Sequence, residues 1–264
     1  MKSTIIKKII LFVTICYFPL QSMGWGANGH RICGQIADSY LNAKARIAIK
    51  AILGNESVAI SSTWADFIKS DPAYSYLSSW HYINFDKAYT YQEMQEYLKK
   101  DTATDAYTKL NFLIAWLKNK RTTKANKLLY LHMLIHIAED VHQPFHTGHT
   151  ADKGCNDFTV LWQGKDTNMH SLWDSLLIES QQLSYTEYAA WINHTTASQR
   201  ALLQKEPISK WLYDSNQLAE KFYRDVKTGD NLGYRYNFTH IGVLNQLLLK
   251  AGVHLAGLLN SIFG

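Results

Sequence analysis

The sequence predicts an all-α, mostly helical fold: a single domain with at most a short β-hairpin. Apolar residues recur at three- and four-residue spacing, as in Ile32/Ile36/Tyr40 and Leu244/Leu247/Leu248/Ala251/Leu255/Leu258. Alternating strand patterns are scarce, and helix start and stop signals punctuate the chain. Taken in order, Gly54 reads as a helix stop, and Thr90 with Glu93 forms a capping box before a short helix. A long helix over 123–142 must end by Gln143, because Pro144 cannot continue it. The stretch 144–168, with Gly148, Gly154 and Gly164, is the main irregular segment, and 158–162 reads as a short strand within it. Pro207 suits a first helical turn and Gly229 a stop, giving about seven to nine helices in all. No internal repeat or low-complexity tract is present.

Residues 1–24 read as a secretory signal peptide. Lys2, Lys7 and Lys8 supply the positive start, 9–18 the apolar centre, and Ser22-Met23-Gly24 the small-x-small cleavage pattern. Cleavage there leaves residues 25–264 as one domain beginning at Trp25, exported to the periplasm or the medium. With three lysines gone, 24 basic side chains face 22 acidic ones, so the formal charge falls from +5 to +2. A coat of positive charge for nucleic acid is thereby excluded, and contact with a polyanion must be local. No second apolar run approaches the ~18 uncharged residues of a membrane span, so no membrane anchoring is expected in the mature chain. Cys16 leaves with the signal; Cys33 and Cys155 remain, and the sequence leaves open whether they are bonded.

Histidine and aspartate carry the chemistry. His136 and Asp140, four apart, project from one helix face and can grip one ion. His146 lies just past the Pro144 break and can turn to a different point. His170 and Asp174 repeat the spacing, and with His146 they form a two-imidazole, one-carboxylate set suited to zinc. Asp66 and His81 offer two further ligands. The amine freed at Trp25 would titrate near ~8 and could chelate a metal with its own carbonyl, alongside His30. Any one of these is unremarkable alone; nine together suit about three ions of four-to-six coordination.

These motifs give the chain a resemblance to the zinc-dependent class I nucleases, a family of secreted single-strand-preferring nucleases and 3′-nucleotidases. It spans the whole mature chain through Trp-Gly-x-x-Gly-His at 25–30, Trp-Ala-Asp at 64–66 and the His81 segment. It continues through His-x-x-x-Asp-x-His-Gln-Pro-x-His at 136–146, Asn156-Asp157 and His-x-x-x-Trp-Asp at 170–174. The resemblance implies a helical fold with three Zn2+ per chain at the bottom of a cleft. Asp66, His81, His136 and Asp140 would hold one, Trp25, His30 and bridging Asp140 its neighbour, and His146, His170 and Asp174 the third. A hydroxide held between two zincs would attack phosphorus in line, the third zinc would stabilise the leaving 3′ oxygen, and 5′-phosphorylated products would follow. Single-stranded DNA, RNA and 3′-mononucleotides are the implied substrates of what should be a monomer with no obligate protein partner.

The same resemblance gives Lys69 the role of steadying the transition state, Asn156 a substrate contact, and Tyr82 that of an aromatic platform on which any base can stack. Asn84 stands where many members carry an acid, and Cys155 replaces a glycine beside the substrate, so base preference is open. His132 has no counterpart in the metal pattern, His142 and His149 read as supporting or loop residues, and His194, His240 and His254 lack partners at metal spacing. A zinc-dependent phospholipase C is the nearest alternative, but there the first histidine lies further from the tryptophan and the last carboxylate is usually Glu. A non-catalytic exported zinc-binding protein would need neither Lys69 nor Asn156.

Overall fold

The computed structural model describes residues 25–264; the expected signal at 1–24 lies outside the described residues. Helices α1 (Ala27–Ser39) and α2 (Ala43–Leu53) are followed by the short turns α3 (Val58–Ser61) and α4 (Trp64–Ile68) and a 3-10 helix at Pro72–His81. Next come α5 (Tyr91–Lys100), α6 (Ala106–Lys118) and α7 (Lys124–Asp140), then 3-10 turns at Pro144–Thr147 and Thr150–Asp152. Strands β1 (Thr159–Trp162) and β2 (Lys165–Asn168) lead into a helical run made of α8 (Met169–Ser171), a π-turn at Leu172–Leu176 and α9 (Leu177–Glu179). The chain finishes with α10 (Tyr185–Ile192), α11 (Ala197–Leu203), α12 (Ile208–Asp225), strand β3 (Asn231–Leu232) and α13 (Tyr234–Phe263). Nine α-helices among the described residues have seven residues or more, the upper end of the sequence expectation.

Helix α7 is the axis of the fold. Thr123 caps its start by accepting from the Asn126 amide, and every residue from Leu131 to Asp140 is buried. A helix apolar or metal-facing all round must be surrounded, and α1, α2, α4, α6 and α13 all pack against it. One buried cluster lies around α2, α5, α6 and α7, a second around α12 and the 169–178 run, and α1 and α13 contribute to both. Helix α13 is the one described helix long and apolar enough to cross a membrane, although Lys250 interrupts its uncharged run. More than half of its apolar window is buried inside the protein, so its hydrophobicity is already used by the core.

The hairpin expected in the irregular segment exists as β1 and β2, antiparallel with Thr159 opposite Asn168. A third strand, β3, adds in parallel against β1, which two residues of Asn-Leu could not announce. Thr90 and Glu93 form the expected capping box. Gly54 ends α2 at φ 70°, whereas Gly229 (φ 87°) sits in the turn beyond α12, whose own cap is Val226. Pro207 is the residue before the first turn of α12, with extended backbone. Cys33 and Cys155 are free, buried thiols, so the bridge that the sequence left open is not formed. Cys33 Sγ instead donates to the Leu248 carbonyl 3.5 Å away.

Helices α1 and α13 meet at Gly252. A Cβ there would lie 2.6 Å from Ile36 Cβ and 2.8 Å from the Cys33 carbonyl oxygen, well inside van der Waals contact. Gly252→Val should therefore force the two helices apart and cost about 1–3 kcal/mol, read as a lower denaturant midpoint; a midpoint equal to the parent's would mean the contact is not close-packed.

Candidate metal centre

Four helices, a turn and a mixed helical run converge on one buried region. Helix α1 brings His30, α4 brings Asp66, the end of the Pro72–His81 helix brings His81, and α7 brings His136 and Asp140. The turn after Pro144 supplies His146, and the 169–179 run supplies His170 and Asp174. All eight are at most 8% exposed. Three subsets could each hold a metal ion, their ligand atoms lying within 4.8 Å of one another: His30, Asp66 and His136; His81, His136 and Asp140; and His146, His170 and Asp174.

The third subset is the one expected from sequence. The first two regroup the expected sets slightly. Asp66 Oδ1 lies 3.6 Å from His136 Nε2, as anticipated, but its Oδ2 also lies 3.8 Å from His30 Nε2, so Asp66 reaches both positions. Asp140 spans them as expected, with Oδ1 3.4 Å from His30 Nε2 and Oδ2 3.2 Å from His136 Nε2. Trp25 is wholly buried beside these groups: its indole donates to the Glu139 carbonyl oxygen at 3.0 Å, and the Gly26 amide donates to that of Asp174 at 2.7 Å. The glycine of the Trp-Gly pair is required, since a Cβ at 26 would lie 2.1 Å from Ser175 Oγ.

The imidazoles are aimed by what their other nitrogens bond. His136 Nδ1 donates to the Ser62 carbonyl (2.6 Å), His146 Nδ1 to that of His81 (2.7 Å), and His170 Nδ1 to that of Gly154. His30 Nδ1 bonds Glu139 Oε2 at 2.6 Å. Their Nε2 atoms are left to face inward, and those of His30, His146 and His170, with Asp66 Oδ2 and Asp140 Oδ1, have no hydrogen-bond partner in the protein. Buried polar atoms are rarely orphaned, and a ring fixed through one nitrogen with the other bare is how proteins present imidazole to a metal. The donor set therefore fits zinc, which takes nitrogen and carboxylate oxygen.

Charge tells the same story. Burial pushes His81 down to about 4, and burial with repulsion from His146 pushes His170 down to about 3, so both are neutral near pH 7. Burial likewise lowers His146. His30 is the exception: burial would lower it, but the carboxylates of Asp140, 3.4 Å away, and Glu139 outweigh that and raise it to about 10. Burial raises Glu139 to about 8, so His30 and Glu139 hold a proton where a cation could replace it. Burial opposes ionisation of Asp66 and Asp140, yet His136 with Lys69 lowers the first to about 2, and His136 with His146 takes the second well below the usual range. Asp174 goes the other way, pushed well above that range by burial despite its bond from Gln143.

Above this region opens a cleft of about 670 Å³, with His81, His146 and His170 in its floor and Lys69, Tyr82, Asn84, Lys153 and Asn156 in its walls. Lys69 Nζ donates to Asp66 Oδ1 at 2.6 Å. Asn156 Nδ2 donates to the Lys153 carbonyl (2.7 Å) and lies 3.3 Å from His170 Nδ1. Tyr82 is 42% exposed, so its ring is not part of the core. Asn84 faces the cleft beside the turn Lys153-Gly154-Cys155, three successive residues with φ of 55°, 62° and 61°. Cys155 does not narrow the cleft; its thiol is buried, close to Tyr223 and Asp152.

Sequence reasoning missed Glu139 and Gln143, the partners of His30 and Asp174. A carboxylate with no basic neighbour on an apolar helix was the signal for the first. It also expected support for a ligand from His142, which bonds Ala138 and His254 instead. His132 bonds Glu56 outside the cluster, and His149 pairs with Glu220.

A family model described as S1/P1 Nuclease matches residues 25–264, beginning at Trp25. Endonuclease 3 of Arabidopsis thaliana is 29% identical over 261 residues, covering 90% of this chain and 89% of that protein. Nuclease S1 of Aspergillus oryzae is 26% identical over 267 residues (90% and 92%), and Nuclease P1 of Penicillium citrinum is 26% identical over 275 (91% and 98%).

Zinc added to the metal-free protein at pH 7 should displace the proton of His30 and raise the thermal midpoint, by about 2.7 kcal/mol of stability at 100 times the dissociation constant of one site. Calorimetry in two buffers of different ionisation enthalpy reads the protons; no release and no shift in midpoint would remove the cation-binding reading.

Proposed function

The chain belongs to the S1/P1 nuclease family and is an endonuclease acting on nucleic acids, and from that premise we propose an exported, monomeric enzyme that hydrolyses single-stranded DNA and RNA to 5′-phosphorylated products and removes phosphate from 3′-mononucleotides. The observation that carries this reading is the row of buried, unpartnered ligand atoms beneath a cleft walled by two lysines, two amides and an exposed tyrosine. Three zinc ions would be held by Asp66, His81, His136 and Asp140; by the Trp25 amine and carbonyl, His30 and Asp140; and by His146, His170 and Asp174. When bound, they supply Lewis-acid activation of water near neutral pH and offset the phosphate's negative charge.

The chain's own residues do the rest. Glu139, Ser62, His81 and Gly154 hold the imidazoles in register, so no reorganisation is needed when substrate arrives. Lys69 places a cation at the cleft wall, tethered by Asp66, where charge gathers on a phosphate in its transition state. Asn156 offers an amide donor on the opposite side, next to His170. Tyr82 stacks a base without reading its edge, and Asn84 supplies both a donor and an acceptor there, so purines and pyrimidines both fit.

Protein starting at Trp25 should contain about three zincs by mass spectrometry and release 5′-phosphorylated nucleotides from single-stranded DNA and RNA, with the activity lost to chelator. Cleavage of lecithin without cleavage of nucleic acid would replace this reading with a phospholipase, and bound zinc with neither activity would replace it with metal sequestration. One residue retained before Trp25 turns its amine into a peptide nitrogen, so such protein should lose one zinc and most of its turnover; full activity with three zincs would end the role proposed for the amine.

A further inference from the structure

Charge along the chain is strongly segregated. From Ala106 to Ala138 there is no acidic residue and six basic ones, Lys109, Lys118, Lys120, Arg121, Lys124 and Lys127; the rest of 25–264 has 18 basic against 22 acidic side chains. The near-neutral total thus hides a block of +6 on a body of −4. None of the six forms an ion pair among the described residues. Lys118, Lys120, Arg121 and Lys124 are exposed at the turn joining α6 to α7. That turn is ordered: the Arg121 and Thr122 amides bond the Asn119 side chain and carbonyl, and Thr122 Oγ1 donates to the Trp116 carbonyl at 2.6 Å.

Helix α6 connects this turn to the cleft. Its first amide, Ala106, donates to the carbonyl of Tyr82 at the cleft rim, 3.0 Å away. Lys109, Phe112 and Trp116 follow at spacings of three and four, along one helix face. Lys109 Nζ sits 4.8 Å over Trp80, the residue before His81, and 5.5 Å over Phe112. Phe112 in turn lies 5.9 Å from Trp116 and 5.5 Å from Tyr130, and Tyr76 lies 6.0 Å from Trp80. Tyr76 is 53% and Trp116 40% exposed. The face runs roughly 15 Å from Ala106 to Trp116 at 1.5 Å per residue, about four nucleotides of a stacked strand at ~3.4 Å each.

We propose that this face of α6 and the basic turn beyond it form a track for the continuation of a single nucleic-acid strand whose reacting phosphate lies in the cleft. Aromatic faces with interleaved cations are the chemistry that holds single strands without reading sequence. The proposal rests on the nuclease reading above for what occupies the cleft, and it makes this enzyme prefer long strands over mononucleotides through binding at a distance.

The test uses zinc-loaded protein and fluorescence anisotropy, so that binding is read apart from cleavage. A phosphorothioate 20-mer should bind at least tenfold tighter than a trimer of the same chemistry. Changing Lys118, Lys120, Arg121 and Lys124 together to Gln should remove that advantage and lower the slope of log affinity against log salt by up to about 3, at roughly 0.7 per phosphate contact. Trp116→Ala alone should weaken the 20-mer about tenfold and leave the trimer and 3′-mononucleotide turnover unchanged. A 20-mer that binds no better than a trimer, or variants of native circular dichroism that bind it like the parent, would overturn the track, as would equal dependence of anionic-vesicle binding on the same four residues. Length-dependent binding lost in the variants, in a protein that cuts no nucleic acid, would uphold the track and sink the nuclease reading instead.

Discussion

Nine titratable side chains buried in one region set the terms for the rest of this molecule. His30, Asp66, His81, His136, Glu139, Asp140, His146, His170 and Asp174 are nearly inaccessible, and several kcal/mol per isolated buried charge is the ordinary penalty. The fold meets that cost in two ways. It spends backbone carbonyls on imidazole N–H groups, which orients the rings, and it crowds carboxylates against His30 and His136 so that positive charge is welcome. A core built this way leaves buried ring nitrogens and carboxylate oxygens without a partner, a demand that cations would meet. Helix α7 is encased because it presents His136 and Asp140 to this region and packs on its other sides, and α1 and α13, which both pack against it, approach each other through Gly252.

The division of labour between the floor and the walls of the cleft follows from the same source. The floor is nearly buried and held by hydrogen bonds to backbone carbonyls, whereas Tyr82 and Asn84 sit on an extended segment hydrogen-bonded to the turn after Pro144 through Ile83 to His146 and Phe85 to Gly148. On the proposed function, changes in the walls would therefore alter which nucleotide is accepted without disturbing the residues of the floor. The basic face of α6 begins one hydrogen bond from this segment.

Much of this was legible in the sequence because helical spacing is a strong geometric statement. His136 and Asp140 could be placed on one face, and Pro144 fixed where the helix must break and His146 diverge. His170 and Asp174 were read as an α-helical pair, and they do converge at 3.2 Å, but across a π-turn that no propensity rule marks. Glu139 was not legible because its role depends on α1 arriving from more than a hundred residues away. The free state of Cys33 and Cys155 depends on tertiary distance, which composition does not encode. The basic block escaped because net charge was summed over the chain; a sum near zero says nothing about how charge is distributed along one helix.

Trp25 occupies a fully buried slot, with Gly26 pressed against Ser175 and bonded to Asp174. On the proposed cleavage before Trp25, the peptide bond cut by the export machinery lies at the edge of the reaction centre itself. The precursor is then a zymogen whose activation is inseparable from leaving the cell: the cytoplasm, full of messenger and transfer RNA, would hold only the form lacking one chelating amine. No inhibitor protein and no separate activating protease are required, because the address label and the safety catch are the same 24 residues.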